Sequence, residues 1–171
     1  MTNDESQMTE YFYVTLRQSV KVALPVENST EVISLTRGEI CPIPGVTPEL
    51  LGVVNQRGRL LWVLDLSDLL RLAPPPVRLR PQDRLTLVVM NAKSANSLDI
   101  NKPAPQFGCV VSNLKAIVPL NKAEFKPVPA KLPADIRSFL SGVAEIEQSR
   151  IAVLNVNTVF SFLRASVTMN A

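Results

Sequence analysis

The sequence predicts a mostly β protein that folds as two small barrels with a shared hydrophobic core. It has 171 residues, of which 46% are apolar, and this fraction is enough to fill such a core. Its runs of β-branched and aromatic residues are six or seven residues long at most, which favours small barrels over a doubly wound parallel sheet. A repeat at an offset of 90 residues further indicates two similar halves.

Short apolar runs predict the strands in order along the chain. Residues 11–16 and 21–26 flank a polar turn at residues 17–19, so they predict a hairpin. Residues 31–35 fit either a third strand or a helical turn. The remaining strands are predicted at residues 53–55, 59–64, 85–90, 108–111 and 151–154.

Proline-rich and polar segments interrupt these runs. Pro74, Pro75 and Pro76 cannot continue a helix or donate hydrogen bonds to a neighbouring strand, so the preceding element is expected to end at Leu72. Residues 91–106 are rich in Ser, Asn, Lys and Pro and show little periodicity. We expect them to form a mobile loop.

These boundaries suggest a single folded domain at residues 11–163. Residues 1–10 are expected to be disordered, and residues 164–171 to be flexible. The first barrel is expected at about residues 11–72, completed by the returning C-terminal segment, and the second at about residues 85–150.

The repeat aligns residues 50–70 with residues 140–160. In both copies an apolar strand runs into Asp65 or Asn155, residue types that cap the N-terminus of a helix, and a short apolar helix follows. A strand, a cap and a helix also occur together by chance, and this is the alternative interpretation. A Pro-x-Pro segment precedes each copy, at residues 42–44 and 127–129.

The composition excludes most catalytic and metal sites. With no histidine in the chain, imidazole-based triads and His-ligated metal sites are excluded. Cys41 and Cys109 lie far apart, so no CxxC redox pair exists. No Gly-Lys-Ser/Thr phosphate loop is present, and Asp65 and Asp68 are explained as a helix cap and a first-turn acid. We therefore expect no catalytic residue, cofactor or metal.

The N-terminal residues are polar and acidic, unlike a secretory signal. No stretch approaches the roughly 20 apolar residues of a membrane span. These features predict a cytoplasmic protein that does not insert into the membrane directly.

The net charge of +3 leaves a second class of function open, a small basic β-barrel that binds nucleic acid. The basic residues are dispersed, and no aromatic residue is interleaved with them for base stacking. The basic residues come closest to a cluster at Arg71, Arg78, Arg80 and Arg84. We therefore interpret this segment as a solvated linker.

One stretch carries a more specific signal. Asn55-Gln56-Arg57-Gly58 forms a predicted turn between two apolar strands, in which Gly58 can take a positive φ angle. A turn does not require an arginine. The sequence Leu50-x-Gly52-Val53-x-Asn55-x-Arg57-Gly58, followed by a strand that ends in Asp-Leu, resembles the signature of the CheW family of chemotaxis coupling proteins.

The resemblance extends from about Tyr11 to Leu163. Glu31 follows a segment similar to the family's second strand, and residues 107–111 resemble a later Gly-containing strand. Two positions depart from the family pattern. Ser29 stands where an aliphatic residue is usual, and Ser112 replaces an Asp.

This resemblance implies two SH3-like five-stranded barrels and a protein without catalytic activity. A CheW-like protein joins the cytoplasmic hairpin tip of a methyl-accepting chemoreceptor to the regulatory domain of a CheA-type histidine kinase. The resemblance thus implies recruitment to membrane-bound receptor arrays. We interpret the departures at Ser29 and Ser112 as a change of partners, towards type IV pilus twitching or phototaxis.

The resemblance also implies two contact surfaces. The receptor-binding residues would be Glu31, Gly52, Asn55, Arg57 and Gly58. Arg57 would either contact a receptor helix or form a structural ion pair or carbonyl contact between the barrels. The kinase-binding residues would lie in the second barrel, at Gly108, Val110 and Val111. For Trp62, which follows the turn, we favour a position in the barrel core over an interface role.

Overall fold

The structure is a computed structural model that describes residues 8–92 and 105–168. The described chain is mostly β, as predicted, with ten strands and three short α-helices. The strands are β1 Met8–Thr15, β2 Lys21–Pro25, β3 Ser29–Thr36, β4 Leu50–Gln56, β5 Arg59–Asp65, β6 Arg84–Asn91, β7 Gln106–Val111, β8 Asn113–Asn121, β9 Leu140–Ile146 and β10 Ser149–Leu154. The α-helices are α1 Leu66–Leu69, α2 Ala134–Ser138 and α3 Val156–Thr168.

The strands form two five-stranded sheets. Sheet A has the order β8-β1-β2-β10-β9, and sheet B has the order β3-β6-β7-β5-β4. Within the described residues both orders have two edge strands, so neither sheet closes into the complete barrel that we predicted. Sheet B is nevertheless strongly curved, as a contact between its two edges shows. Glu31 on edge strand β3 reaches Arg57, which lies just beyond the end of β4 at the other edge.

Strand pairing corrects the predicted division of the chain. Strand β1 pairs with β8, and β2 pairs in parallel with β10, so the N-terminal hairpin belongs with the last three strands rather than with β3, β4 and β5. The hairpin buries Tyr11 and Ala23 in one cluster with Ile151 and Val153, and this apolar contact accounts for the pairing. Strand β7, expected in the second barrel, lies in sheet B beside β5.

The repeat is confirmed at the predicted offset. Strands β4 and β9 begin 90 residues apart, at Leu50 and Leu140, and helices α1 and α3 begin 90 residues apart as well. The predicted caps are also present. The Asp65 Oδ1 atom accepts a hydrogen bond from the Asp68 N–H at 3.1 Å, and the Asn155 Oδ1 atom accepts one from the Thr158 N–H at 3.2 Å.

The two sheets share the central core that was predicted. The largest cluster of buried residues includes Val14 and Leu24 from sheet A together with Met90 and Phe107 from sheet B. Each sheet also has one smaller cluster of its own. The cluster of sheet A lies around Ile151, and the cluster of sheet B includes Val63, Leu87 and Val110. Most strands of both sheets therefore bury side chains on two faces.

The boundaries of the fold differ slightly from those predicted. Strand β1 begins at Met8, inside the segment expected to be disordered, and α3 continues to Thr168, inside the segment expected to be flexible. The rest of those segments and most of the predicted mobile loop lie outside the described residues. None of the helices in the described ranges is both long and apolar enough to cross a membrane.

Candidate interaction site

The turn between β4 and β5 holds Arg57 at an exposed tip. The two strands pair up to Gln56 and Arg59, which leaves Arg57 and Gly58 as the two central residues of the turn. Both have positive φ angles, 54° and 81°, as in hairpin turns of type I′. The Asn55 Oδ1 atom accepts a hydrogen bond from the Gly58 N–H at 2.9 Å, so Asn55 fixes the turn.

Arg57 forms an ion pair with Glu31. The Arg57 Nη2 and Glu31 Oε2 atoms are 3.3 Å apart, and the two side chains are 78% and 30% exposed. An exposed pair of this kind contributes little to stability, because water screens the charges and two side chains lose freedom. The predicted receptor-binding residues Glu31, Asn55, Arg57 and Gly58 therefore lie together, with Arg57 open to a partner.

An open groove of about 670 Å³ lies beside this ion pair. Leu60, next to the turn, is 74% exposed, although it is a large apolar residue. The groove thus combines charged and apolar groups, as protein-binding surfaces commonly do. Its lining residues are Thr30, Glu31, Gln56, Arg57, Arg59, Leu60, Leu61, Val89, Pro105 and Gln106.

Gly52 does not lie in this groove. It is buried in β4 with a φ angle of 138°, and a Cβ atom at this position would lie 2.0 Å from the carbonyl oxygen of Cys41. The flanking residue Val53 exchanges two backbone hydrogen bonds with Cys41, at 2.8 and 2.9 Å. The close backbone approach that we expected at Gly52 is therefore internal to the protein.

The predicted kinase-binding residues are buried. Val110 and Val111 are only 9% and 3% exposed, and Gly108 packs against Leu87 in the inside of sheet B. Strand β7 has a strand on each side and apolar clusters on both faces. These three residues therefore lie in the core of the structure and not on its surface, and their apolar character reflects the core.

Trp62 occupies an intermediate position. It is partly buried and packs against the central core, in agreement with the predicted core role. It also lines an apolar cavity beside helix α3, which was not predicted. Among the described residues, no group of three or more Cys, Asp and Glu side chains is placed to hold a metal ion.

Sequence reasoning also missed a partly buried charge cluster around Arg17. The guanidinium of Arg17 pairs with Asp68, lies 3.9 Å from the Asp65 Oδ2 atom and donates to the carbonyl of Leu72 at 3.3 Å. Burial raises the pKa of the Asp65 carboxyl above its usual value, although the Asp68 N–H and Arg17 oppose this shift. The partners are about 50 residues apart in sequence, so no local pattern identifies them.

Two of the four arginines in the predicted basic cluster are paired with carboxylates. Of its four arginines, only Arg78 has no side-chain partner within the described ranges. These contacts give no support to a nucleic-acid surface. The partners of the other three are Asp135 for Arg71, Asp83 for Arg80 and Ser34 for Arg84.

Comparisons with known proteins agree with this architecture. The structure is similar to the crystal structure of the scaffolding protein TtCheW from Thermoanaerobacter tengcongensis, with a TM-score of 0.67 and 17% sequence identity over 86% of this chain and 84% of that chain. No curated protein matches the sequence. The family model of the CheW-like domain matches residues 10–163. The chain therefore belongs to the family of CheW-like domains.

Proposed function

We infer that this protein is a non-enzymatic adaptor that couples methyl-accepting chemoreceptors to a CheA-type histidine kinase. Its membership of the CheW-like family supports this role, as does its structural similarity to a scaffolding protein. The proposed output is control of motility, through type IV pilus twitching or phototaxis.

The single observation that carries the proposal is the exposed ion pair between Arg57 and Glu31 beside an open groove. Arg57 presents a planar set of donors that match a carboxylate, and most of its side chain is open to solvent. An amphipathic receptor helix in the groove would exchange the weak pair with Glu31 for contacts of its own, while Leu60 contributes apolar area.

The kinase surface is proposed at exposed side chains outside the groove. The burial of Gly108, Val110 and Val111 means that these residues would act by supporting the core beneath such a surface. Separate surfaces would allow the adaptor to hold receptor and kinase simultaneously.

The test is a binding titration with a purified receptor cytoplasmic fragment and, separately, with the kinase regulatory domain. We expect Arg57→Ala to weaken receptor binding by at least 1 kcal/mol, or about fivefold in Kd, because a charge-assisted contact is lost. The matched control is Arg78→Ala, since Arg78 is exposed and lies outside the groove.

Equal receptor binding by wild-type protein and Arg57→Ala would remove Arg57 from the proposed site. Absence of both partners among proteins that co-purify with the chain from its host would contradict the adaptor function itself. Thermal unfolding of each variant controls for loss of structure, which is expected to be small because the ion pair is exposed.

A further inference from the structure

A small apolar cavity lies between sheet B and helix α3, with a volume of about 210 Å³. Trp62 and Phe107, which pair as neighbours on the parallel strands β5 and β7, form one wall. Phe160, Leu163 and Val167 form the other. These three lie at positions i, i+3 and i+7 of α3, and therefore share one face of the helix.

Two buried aromatic rings form the floor of this cavity, and its mouth is open. The rings of Phe107 and Phe160 meet edge to face with their centroids 4.7 Å apart, and both side chains are almost fully buried. Trp62 is only partly buried, so it lies nearer the surface. A ligand would thus meet a preformed aromatic floor without displacing core residues.

One charged residue, Arg164, lines the cavity. It is exposed and lies four residues after Phe160, on the same face of α3. Its guanidinium has no ion pair or hydrogen bond within residues 8–92 and 105–168. An unpaired arginine beside an apolar cavity is complementary in charge to an anion that carries an apolar group.

The volume limits the size of that apolar group. An apolar protein cavity of about 150 Å³ holds a benzene molecule, so about 210 Å³ accommodates one aromatic ring and a few further carbon atoms. Drug-sized ligands require larger pockets, of about 300 Å³ or more.

We propose that this cavity binds a small carboxylate whose apolar part is a single aromatic ring or a short alkyl chain. The apolar part lies against Trp62 and Phe107, and the carboxylate pairs with Arg164. The cavity adjoins the groove beside Arg57 and Glu31, because Pro105 and Gln106 line both. None of Glu31, Asn55, Arg57 and Gly58 lines the cavity, so the proposed carboxylate contact does not involve the ion pair.

Trp62 is the only tryptophan of the chain, and its fluorescence therefore reports binding directly. The full-length protein is titrated at neutral pH with three matched probes: phenylpropionate, phenylpropanol and phenylpropylamine. We expect a saturable change in Trp62 emission with phenylpropionate. Binding of the neutral alcohol is expected to be about tenfold weaker, and binding of the cationic amine weaker still, because neither pairs with a guanidinium.

Two variants test the proposed contacts. Arg164→Gln is expected to weaken phenylpropionate binding about tenfold and to leave the alcohol unaffected. The control is Arg137→Gln, since Arg137 is exposed on α2 and does not line the cavity. Val167→Phe is expected to fill the cavity and reduce binding of every probe, with circular dichroism to verify folding.

The proposal is overturned if Trp62 emission shows no saturable change up to the solubility limit of phenylpropionate. Equal affinity for the three probes would also overturn it, because it would indicate unspecific apolar binding. Unchanged affinity of Arg164→Gln would remove the carboxylate contact, and ligand-detected NMR on the same variant provides a second measurement.

Discussion

At the scale of single residues, the two equivalent hairpin turns have the same backbone conformation but different side chains. Arg57 and Gly58 occupy the β4–β5 turn, and Glu147 and Gln148 occupy the β9–β10 turn, all with positive φ angles. For a residue other than glycine, this left-handed backbone conformation costs about 1–2 kcal/mol. The conformation is therefore set by the hairpin, which accepts different residue types at the two tips.

Gly52 provides a prediction at this scale. We expect Gly52→Ala to lower the free energy of unfolding by about 1–3 kcal/mol or more. A Cβ atom would collide with the Cys41 carbonyl, and the φ angle at this position disfavours residues with a side chain. Urea denaturation measures the change. Gly58→Ala is the control, since a Cβ atom there has no neighbour within 4 Å. Equal losses would show that φ, and not the backbone contact, determines the requirement for glycine.

The raised pKa of Asp65 predicts a dependence of stability on pH. Because burial favours the protonated carboxyl in the folded state, the folded protein binds more protons than the unfolded chain at pH values just above 3.8, the usual pKa. Asp65 therefore makes the free energy of unfolding fall as pH rises through this window. Asp65→Asn keeps a helix cap, as Asn155 does in the other half.

We expect the Asp65→Asn variant to gain stability over the wild type as pH increases from about 4 to 7. Urea denaturation at several pH values measures the difference in the free energy of unfolding between the two proteins. Titrating groups that the two proteins share contribute equally to both and cancel from this difference. A difference that stays constant over this range would contradict the raised pKa.

At the scale of elements, Arg17 connects the first hairpin of sheet A to helix α1, which follows strand β5 of sheet B. Its guanidinium contacts Asp68 and the Leu72 carbonyl, and its backbone N–H donates to the Ser67 hydroxyl at 3.2 Å. The side chain and the backbone of one residue thus contact three polar groups in and just after α1. This contact fixes how the two sheets meet beyond their apolar core.

Removal of this contact is expected to destabilise the protein. Arg17→Ala leaves Asp65 and Asp68 close together without a cation, and we expect a loss of about 1–3 kcal/mol in the free energy of unfolding. Arg80→Ala breaks the exposed pair with Asp83 and serves as the control, with a loss below about 1 kcal/mol. Chemical denaturation of both variants distinguishes these effects, and equal losses would contradict a structural role for Arg17.

The positions of the strands were predicted better than the pairing between them. Alternating and continuous apolar runs identified the two strands of the first hairpin and the strands β5, β6 and β10, because strand propensity and burial act locally. Pairing between β2 and β10 involves residues about 130 apart, and no local pattern encodes it. The buried strand β7 shows the same limit. Its continuous apolar run indicates burial on both faces, but the family resemblance alone suggested a contact surface.

The candidate site was predicted in part. Asn55, Arg57 and Gly58 were identified because a tight turn requires particular residue types and does not require arginine. Glu31 was associated with them only through the family resemblance, since it lies on a distant strand that curvature brings close. Leu60 was missed, because an apolar residue within a strand is expected to face the core.

At the scale of the whole molecule, each half of the chain contributes to both sheets. In the first half, β1 and β2 join sheet A, whereas β3, β4 and β5 join sheet B. In the second half, β6 and β7 join sheet B, and the remaining three strands join sheet A. The two halves thus exchange their first hairpins. Neither half is able to complete a sheet alone, and this predicts a single cooperative unfolding transition.

A substitution in the core of sheet A tests this cooperativity. Ile151 is fully buried there, and Ile151→Ala is expected to lower the free energy of unfolding by about 2–5 kcal/mol. Trp62 lies in sheet B, yet its fluorescence transition should shift to lower urea together with the far-ultraviolet circular dichroism. A shift of the circular dichroism alone would show that the sheets unfold separately.

The exchange of hairpins also determines the order in which the strands find their partners as the chain leaves the ribosome. All strands of sheet B lie between Ser29 and Val111, whereas sheet A requires the chain up to Leu154. At about 5–20 residues per second, the N-terminal hairpin waits roughly 2–9 s after sheet B is complete before its last partners emerge. The hairpin made first therefore receives its last partners at the end, and its apolar faces stay without them until Leu154 has been synthesised.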